Sequence, residues 1–327
     1  MPPGNKKLTG EEVAVIGRWI AAGAVSIRAE QEKLDETNSF TEDDREFWAF
    51  QPITRLTVPT APATSPGKPT SAAWSRVRNP IDAFLIAKLE ANGLTFSPEA
   101  GKATLIRRVF YDLIGMPPSP EEVDLFLADE APDAYERLIE RLLNSPHYGE
   151  RWGRHWLDVA GYADSEGYTN DDTVRKEAFK YRDYVIRSFN ADKPFDQFIQ
   201  EQLAGDEMID PAVVSSGFKN LPPDAIEKLT ATGFLRMAPD GTGSGGVDQK
   251  LARNQVITDT IKIVATSLLG LTVGCAECHN HRYDPIPQAD FYRLRAVFEP
   301  ALDWKNWRAP PARLVSLYTD ADRARSA

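Results

Sequence analysis

Apolar positions recur at helical spacing along most of the chain, and convincing alternating patterns are scarce. Val13, Ile16 and Ile20 predict a helix near the N-terminus, with Thr9 as its cap and Glu11 and Glu12 at its positive end. Asn79-Pro80 opens another, with Ile81, Phe84, Leu85 and Leu89 as its expected buried face and Asn92-Gly93 as its stop. Leu105, Val109 and Leu113 mark a helix over 102–114, and Ser119 with Glu122 forms a capping-box signal. Tyr135, Leu138, Ile139 and Leu142 mark the next. Further helices are expected near 150–162, 178–190, 194–204, 224–235 and 250–270, and from Asp290 to Phe298. No repeat of fixed period is present. The expected class is mostly α: an irregular multi-helix domain with long loops.

Three stretches interrupt this pattern. Residues 52–69 hold five prolines, Pro52, Pro59, Pro62, Pro66 and Pro69, and read as a semi-extended linker or strap. Segment 239–247 reads as a flexible loop, because its glycines match no phosphate-binding spacing and no Lys-Ser/Thr pair follows. Thr319 to Ser326 is polar and announces no terminal element. The first helix has an apolar face with no partner helix before it, which suggests a fragment of a longer polypeptide.

Composition narrows the function classes. The 327 residues carry 38 Lys+Arg against 48 Asp+Glu, a net charge of −10, which leaves no broad footprint for nucleic acid or anionic lipid. Hydrophobic residues at 42% are enough for a packed core. Two cysteines cannot staple a chain this long, so it is not a disulfide scaffold. No apolar run reaches the roughly 18 residues of a membrane span, and the first residues have no apolar signal core.

Both cysteines and one of the four histidines fall in one pentapeptide, Cys275-Ala-Glu-Cys278-His279. That is the attachment signature of c-type haem. Two thiols three positions apart reach the two vinyl groups of one porphyrin edge, and the adjacent imidazole takes the iron as axial ligand. Zinc competes, since Cys275, Cys278, His279 and His281 are eligible ligands. They lie within seven residues, however, whereas structural zinc sites join two separated pairs. A dithiol redox motif expects a strand before the first cysteine, and here a helical pattern from Ile257 to Leu271 precedes it. Chance pairing of two buried cysteines does not account for the adjacent histidine.

The flanking segments resemble a known family. GLTVGCAECHNHRYDPIPQADFYRLRAVF (270–298), FWAFQPI (47–53), NPIDAFLIAKLEANGL (79–94), LIRRVFYDLIGMPPSPEEVDLFLAD (105–129), SPHYGERWGRHWLDVAGYADSEGY (145–168) and DKPFDQFIQEQLAGD (192–206) are similar, in order, to the planctomycete-type multidomain cytochrome c proteins. The likeness spans about residues 45–300 and falls on their central domain of unknown function, number 1549 in its series. It implies an upstream cytochrome c domain whose tail is residues 1–30, with Met1 matching a ligand of that domain's haem. It further implies a linker at 31–78, a helical haem-binding domain at 79–300, and the start of a downstream region at 301–327. It also implies export to the periplasm or beyond and a link to polysaccharide breakdown, but it supplies no reaction.

For the other face of the iron, His281 lies too close to His279 in sequence to reach around the ring, and reads as a surface or propionate-side histidine. His147 and His155 share one helical stretch. Eight residues on a helix turn about 80° and rise about 12 Å, so one of them at most faces a given iron. His155, mid-helix between Arg154 and Trp156, is the first choice and His147 the second. Each also reads as a hydrogen-bonded core histidine beside Trp152 and Trp156. Met208 and Met237 are sulfur alternatives or core filler, and an open sixth site is the remaining option. Arg151 and Arg154 suit haem propionates, or equally a solvated helix face. Asp164, Glu166, Asp171 and Asp172 are calcium candidates that lack the Gly and terminal Glu of an EF-hand loop. No carboxylate pair, Gly-x-Ser-x-Gly elbow or His-Glu-x-x-His singles out a hydrolase.

The expectation is therefore an exported haem c protein relaying electrons within a larger oxidoreductase, with the upstream cytochrome domain and a redox protein as partners. The alternatives are a haem enzyme with open iron acting on a small or carbohydrate substrate, and a polysaccharide-binding scaffold with structural haem.

Overall fold

The computed structural model describes residues 8–24, 40–61, 72–168 and 172–326. Met1, Asp171, residues 62–69 of the proline-rich linker and residues 25–39 between the first helix and that linker lie outside the described residues. The chain divides into two compact units, one of Met1–Pro52 with Arg282–Pro285, the other of Ile53–His281 with Ile286–Ala327.

In the first unit, α1 (Gly10–Ala21) begins where the sequence predicts, at a capping box between Thr9 and Glu12. Its Val13, Ile16, Trp19 and Ile20 are exposed. A short helix α2 (Glu42–Glu46) starts at a second capping box, Thr41 with Asp44.

The second unit is helical throughout, and its described residues contain no strand, only one isolated bridge between Ser165 and Val174. Helix α3 (Pro80–Ala91) is capped by Asn79 and Asp82. Its buried residues are Ala83 and Ile86, while Ile81, Phe84 and Leu85 are exposed and Leu89 is half-buried. The predicted face is therefore wrong. The helix is apolar on nearly every side, so its periodicity selects no face. Its neighbours decide, among them Trp74, whose indole Nε1 donates to Glu90 at 2.9 Å.

Helices α4 (Lys102–Leu113), α5 (Pro120–Ala128) and α6 (Ala134–Leu143) share a core of Ile106, Val109, Phe110, Phe126, Leu138 and Leu142. Ser119 and Glu122 form the expected capping box of α5. Helices α7 (Pro146–Ala160) and α8 (Ala178–Asn190) are the most closely packed pair. Glycine makes that approach feasible: a Cβ on Gly149 would stand 2.4 Å from the Ile186 carbonyl oxygen. Asn190, at the end of α8, caps its neighbour, accepting from Gly149 N at 2.7 Å and donating to the Pro146 carbonyl at 3.1 Å.

Helix α9 (Phe195–Ala204) completes an aromatic core of Trp156, Tyr181, Tyr184, Phe198 and Phe234. Polar groups buried in it are satisfied internally. Gln202 Oε1 accepts from Trp156 Nε1 at 3.0 Å and from Tyr181 Oη at 2.5 Å. Glu201 accepts from Tyr184 Oη at 2.7 Å, from Gln197 Nε2 at 2.9 Å and from Lys193 Nζ. Burial pushes the Glu201 carboxyl up, yet these three hydrogen bonds outweigh it and its pKa lies below the ordinary value. Burial also raises the pKa of Tyr181 and of Tyr184.

Like α2, two further short helices absent from the sequence prediction follow the same capping physics. Asp210 caps α10 (Pro211–Ser215). After α11 (Pro223–Ala231), α12 (Gln249–Val264) and α13 (Gln288–Phe298), the polar terminal stretch forms α14 (Asp320–Ser326). Its start is held by Thr319, whose Oγ1 accepts from Asp322 N while the Asp322 carboxylate accepts from Thr319 N and Oγ1.

Segment 239–247 also departs from expectation, because its first half is buried. Asp240, Gly241 and Thr242 form a tight turn, in which a Cβ on Gly241 would meet the Tyr168 ring at 2.6 Å. Asp240 Oδ1 accepts from Thr242 N at 2.8 Å, Arg313 pairs with Asp240 at 2.7 Å, and Trp307 Nε1 donates to Thr242 Oγ1 at 3.0 Å. Glycine content suggests mobility, but these long-range bonds fix the turn.

Candidate functional site

The Cys275–His279 pentapeptide follows α12 and a π turn at Ala265–Leu269. Gly274–Glu277 form one 3₁₀ turn, and the Cys275 carbonyl accepts from both Cys278 N at 3.3 Å and His279 N at 3.4 Å. Ala276 is fully buried in a core with Ile257, Ile261, Val273, Ile286 and Phe291. That anchor turns the flanking residues outward: Cys275, Cys278 and His279 are all exposed, and both thiols are free.

Glu277 locks the turn from the other side. Its Oε1 accepts from Thr258 Oγ1 at 2.9 Å and from Asn254 Nδ2 at 3.4 Å on α12. Its carbonyl accepts from Gln288 Nε2 at 3.1 Å and Tyr292 Oη at 3.0 Å on α13. Asn280 Oδ1 accepts from Gln288 N at 2.9 Å. These positioning residues are missed by sequence reasoning, because ordinary polar residues on two helices carry no motif.

His279 Nδ1 lies 2.7 Å from the Asn280 carbonyl oxygen. A carbonyl can only accept, so Nδ1 carries the proton of this hydrogen bond, which leaves the Nε2 lone pair available in the neutral ring. A histidine that binds a metal through Nε2 commonly has its Nδ1 proton donated to a backbone carbonyl in this way. Two adjacent thiols and one such imidazole on a rigid turn fit the donor set that covalent haem needs. The donors stand on a surface turn, since Cys275, Cys278 and His279 are all exposed, and cavities of about 370 and 310 Å³ include no residue of the pentapeptide.

His281, expected as a surface or propionate-side histidine, is buried with 8% exposure, which overturns the surface reading. Its backbone N donates to the Ile286 carbonyl at 2.9 Å, and that bond draws the chain inward on either side of 282–285. Among the described residues no three His, Cys, Asp or Glu side chains converge on one point, so the zinc set of Cys275, Cys278, His279 and His281 is not assembled. Asp164 accepts from Tyr162 Oη at 2.6 Å, Glu166 pairs with Arg175 at 2.9 Å, and Asp172 accepts from Gly167 N at 2.8 Å. The three described calcium candidates are thus engaged with protein groups.

Neither histidine of α7 is a core residue. The helix buries Gly149, Gly153, Trp156, Leu157 and Ala160, and both His147 and His155 fall on its exposed side. His147 Nδ1 lies 2.7 Å from Glu150 Oε2, and His155 stands edge-on to Trp152 with ring centroids 5.6 Å apart. Arg154 is exposed, while Arg151 runs beside the turn at Gly115 and its Nε is buried without a hydrogen-bond partner. α7 packs on the π turn at Ala265–Leu269, just ahead of the pentapeptide. Met237 is core filler and Met208 is partly exposed.

Fold and site together define a class: a mostly helical domain that presents a Cys-x-x-Cys-His turn on its surface. Residues 80–302 match the family model described as "Protein of unknown function (DUF1549)", PSCyt2, and the chain belongs to that family. No curated protein and no solved structure matches it.

Proposed function

We propose that this chain is a c-type haem protein that relays electrons within a larger, exported, multidomain oxidoreductase. The observation that carries the reading is the Cys275–His279 turn, with its two exposed thiols and a histidine whose Nδ1–H is tied to a backbone carbonyl. Haem bound there supplies one-electron transfer. Cys275 and Cys278 would hold it covalently through their exposed thiols. His279 would bind the iron through Nε2, and the Glu277 hydrogen bonds hold the turn that carries all three donors. Arg151 and Arg154 are the proposed propionate partners, the former bringing an unpartnered Nε. His155 is the proposed sixth ligand and His147 the second choice.

Thioether assembly needs reduced thiols and exported haem, so the proposed location is the periplasm or outside the cell. An upstream cytochrome c domain, whose tail is residues 1–30, is the proposed electron partner. The test is the optical spectrum of oxidised and reduced protein, with and without carbon monoxide, for wild type, His155→Ala and His147→Ala. The reading expects low-spin iron that becomes high-spin and binds carbon monoxide on loss of His155. If neither substitution changes the spin state, both ligand assignments fall. High-spin wild-type iron that binds carbon monoxide would replace the relay with an open-iron enzyme.

A further inference from the structure

The buried turn at Asp240 lies behind a cleft of about 310 Å³ with an unusual lining. Four of its residues are cations, Lys219, Arg308, Arg313 and Arg323, with Ser316 and Phe218 between them, and none is a carboxylate. In a chain of net charge −10, that concentration runs against the composition. Lys219, Arg308 and Arg323 form no ion pair among the described residues, so their charges are uncompensated within the fold.

Arg313 forms the inner wall. Its Nη1 pairs with Asp240, its Nε donates to the Arg308 carbonyl at 2.6 Å, and its Nη2 is buried with no acceptor. The acids of the adjoining helix are engaged elsewhere: Asp320 accepts from Asn220 Nδ2 at 2.8 Å, and Asp322 holds Thr319 and Arg325. Behind this wall, burial first and the Arg313 charge second press the pKa of Arg236 down to about 10, against the opposing charges of Asp240 and Asp206.

The opposite wall is held under strain. Phe218 and Asn220 both adopt left-handed backbone conformations, with φ of 59° and 52°, and Lys219 stands between them. The paired hydrogen bonds between Asn220 and Asp320 bring this turn against a segment one hundred residues away.

We propose that this cleft is a binding site for a tetrahedral oxyanion, the phosphate or sulfate group of a small molecule or chain end. Arginine forks match such oxygens bidentately, and lysine adds a mobile point charge. The volume sits at the lower end of the roughly 300–1,000 Å³ of small-ligand sites, which suits one charged group with a short organic attachment. The site is separate from the Cys275–His279 turn, and its residues share none with the proposed haem ligands.

Calorimetric titration of the full chain with inorganic phosphate and with sulfate, at constant ionic strength, tests this. Wild type is expected to bind either ion saturably at one site. Arg308→Gln and Arg323→Gln should each weaken that binding tenfold or more, while Arg55→Gln, an equal loss of charge on an exposed residue elsewhere, should leave it unchanged. Binding of phosphate alone or sulfate alone supports the site and identifies which ester it takes. Acetate binding as tight as either ion, equal weakening by Arg55→Gln, or no saturable binding in folded wild type would overturn it.

Discussion

The Glu201 network and the Cys275–His279 turn both set polar groups against an apolar core, yet they use them in opposite ways. Around Glu201, a carboxylate, a lysine, two tyrosines, a tryptophan and two glutamines are joined within one aromatic core, and their hydrogen bonds meet inside it. At the turn, the core receives only Ala276, while both thiols and the imidazole face outward. Polar groups closed on one another hold a fold together. Polar groups whose positions are fixed by others, but whose own reactive atoms are unengaged, are ready for a ligand.

That contrast is broken most severely by Glu201→Ala. It strands Lys193 and Tyr184 in a nearly closed core, and removing one partner of a buried pair costs about 3 kcal/mol, read as a lower denaturation midpoint. Gly149→Ala comes next. It forces a methyl group onto the Ile186 carbonyl, and overpacking of this kind costs about 1–3 kcal/mol, measured by chemical unfolding. Thr319→Ala removes the cap of α14 at about 1 kcal/mol, visible as faster amide exchange over 320–326. The double change Cys275→Ala with Cys278→Ala should be the mildest of all in protein without haem. Both side chains are exposed, so unfolding stability should stay within about 0.5 kcal/mol of the parent. A loss as large as that of Glu201→Ala would make the cysteines structural and erase the contrast.

Acid sharpens the comparison. The Glu201 carboxyl has a folded pKa below its ordinary 4.5, so its stabilising contribution is whole above that value and is lost as pH falls through the lower folded one. Glu201→Gln keeps acceptors for Tyr184 but cannot titrate. The stability gap between wild type and this variant should therefore narrow on acidification. A gap independent of pH would show that the charge on Glu201 contributes nothing.

Where a cap or a short motif carries the information, the sequence is legible. Asn79 with Pro80, Ser119 with Glu122 and Thr9 mark helix starts that the structure reproduces. Thr319 with Asp322 is the same kind of signal, and recognising it would have found α14. Which face a helix buries is less legible, because α3 is apolar almost all round and its neighbours choose Ala83 and Ile86. The turn at Asp240 is opaque for another reason: its rigidity comes from Arg313, Trp307 and Tyr168, which lie about 65–75 positions away along the chain. At the pentapeptide the donors are plain in the sequence, whereas Glu277 with its partners on α12 and α13, and the buried place of His281, emerge only from the packing.

The intact mass of the denatured protein tests the central claim most directly. The full chain is produced with an export signal in cells that assemble c-type cytochromes, then unfolded in acid and extracted with acetone. The account predicts that the polypeptide retains the mass of one haem, and that Cys275→Ala with Cys278→Ala returns it to the bare polypeptide. Wild-type polypeptide that emerges from extraction without added mass would contradict covalent attachment, and with it the electron relay.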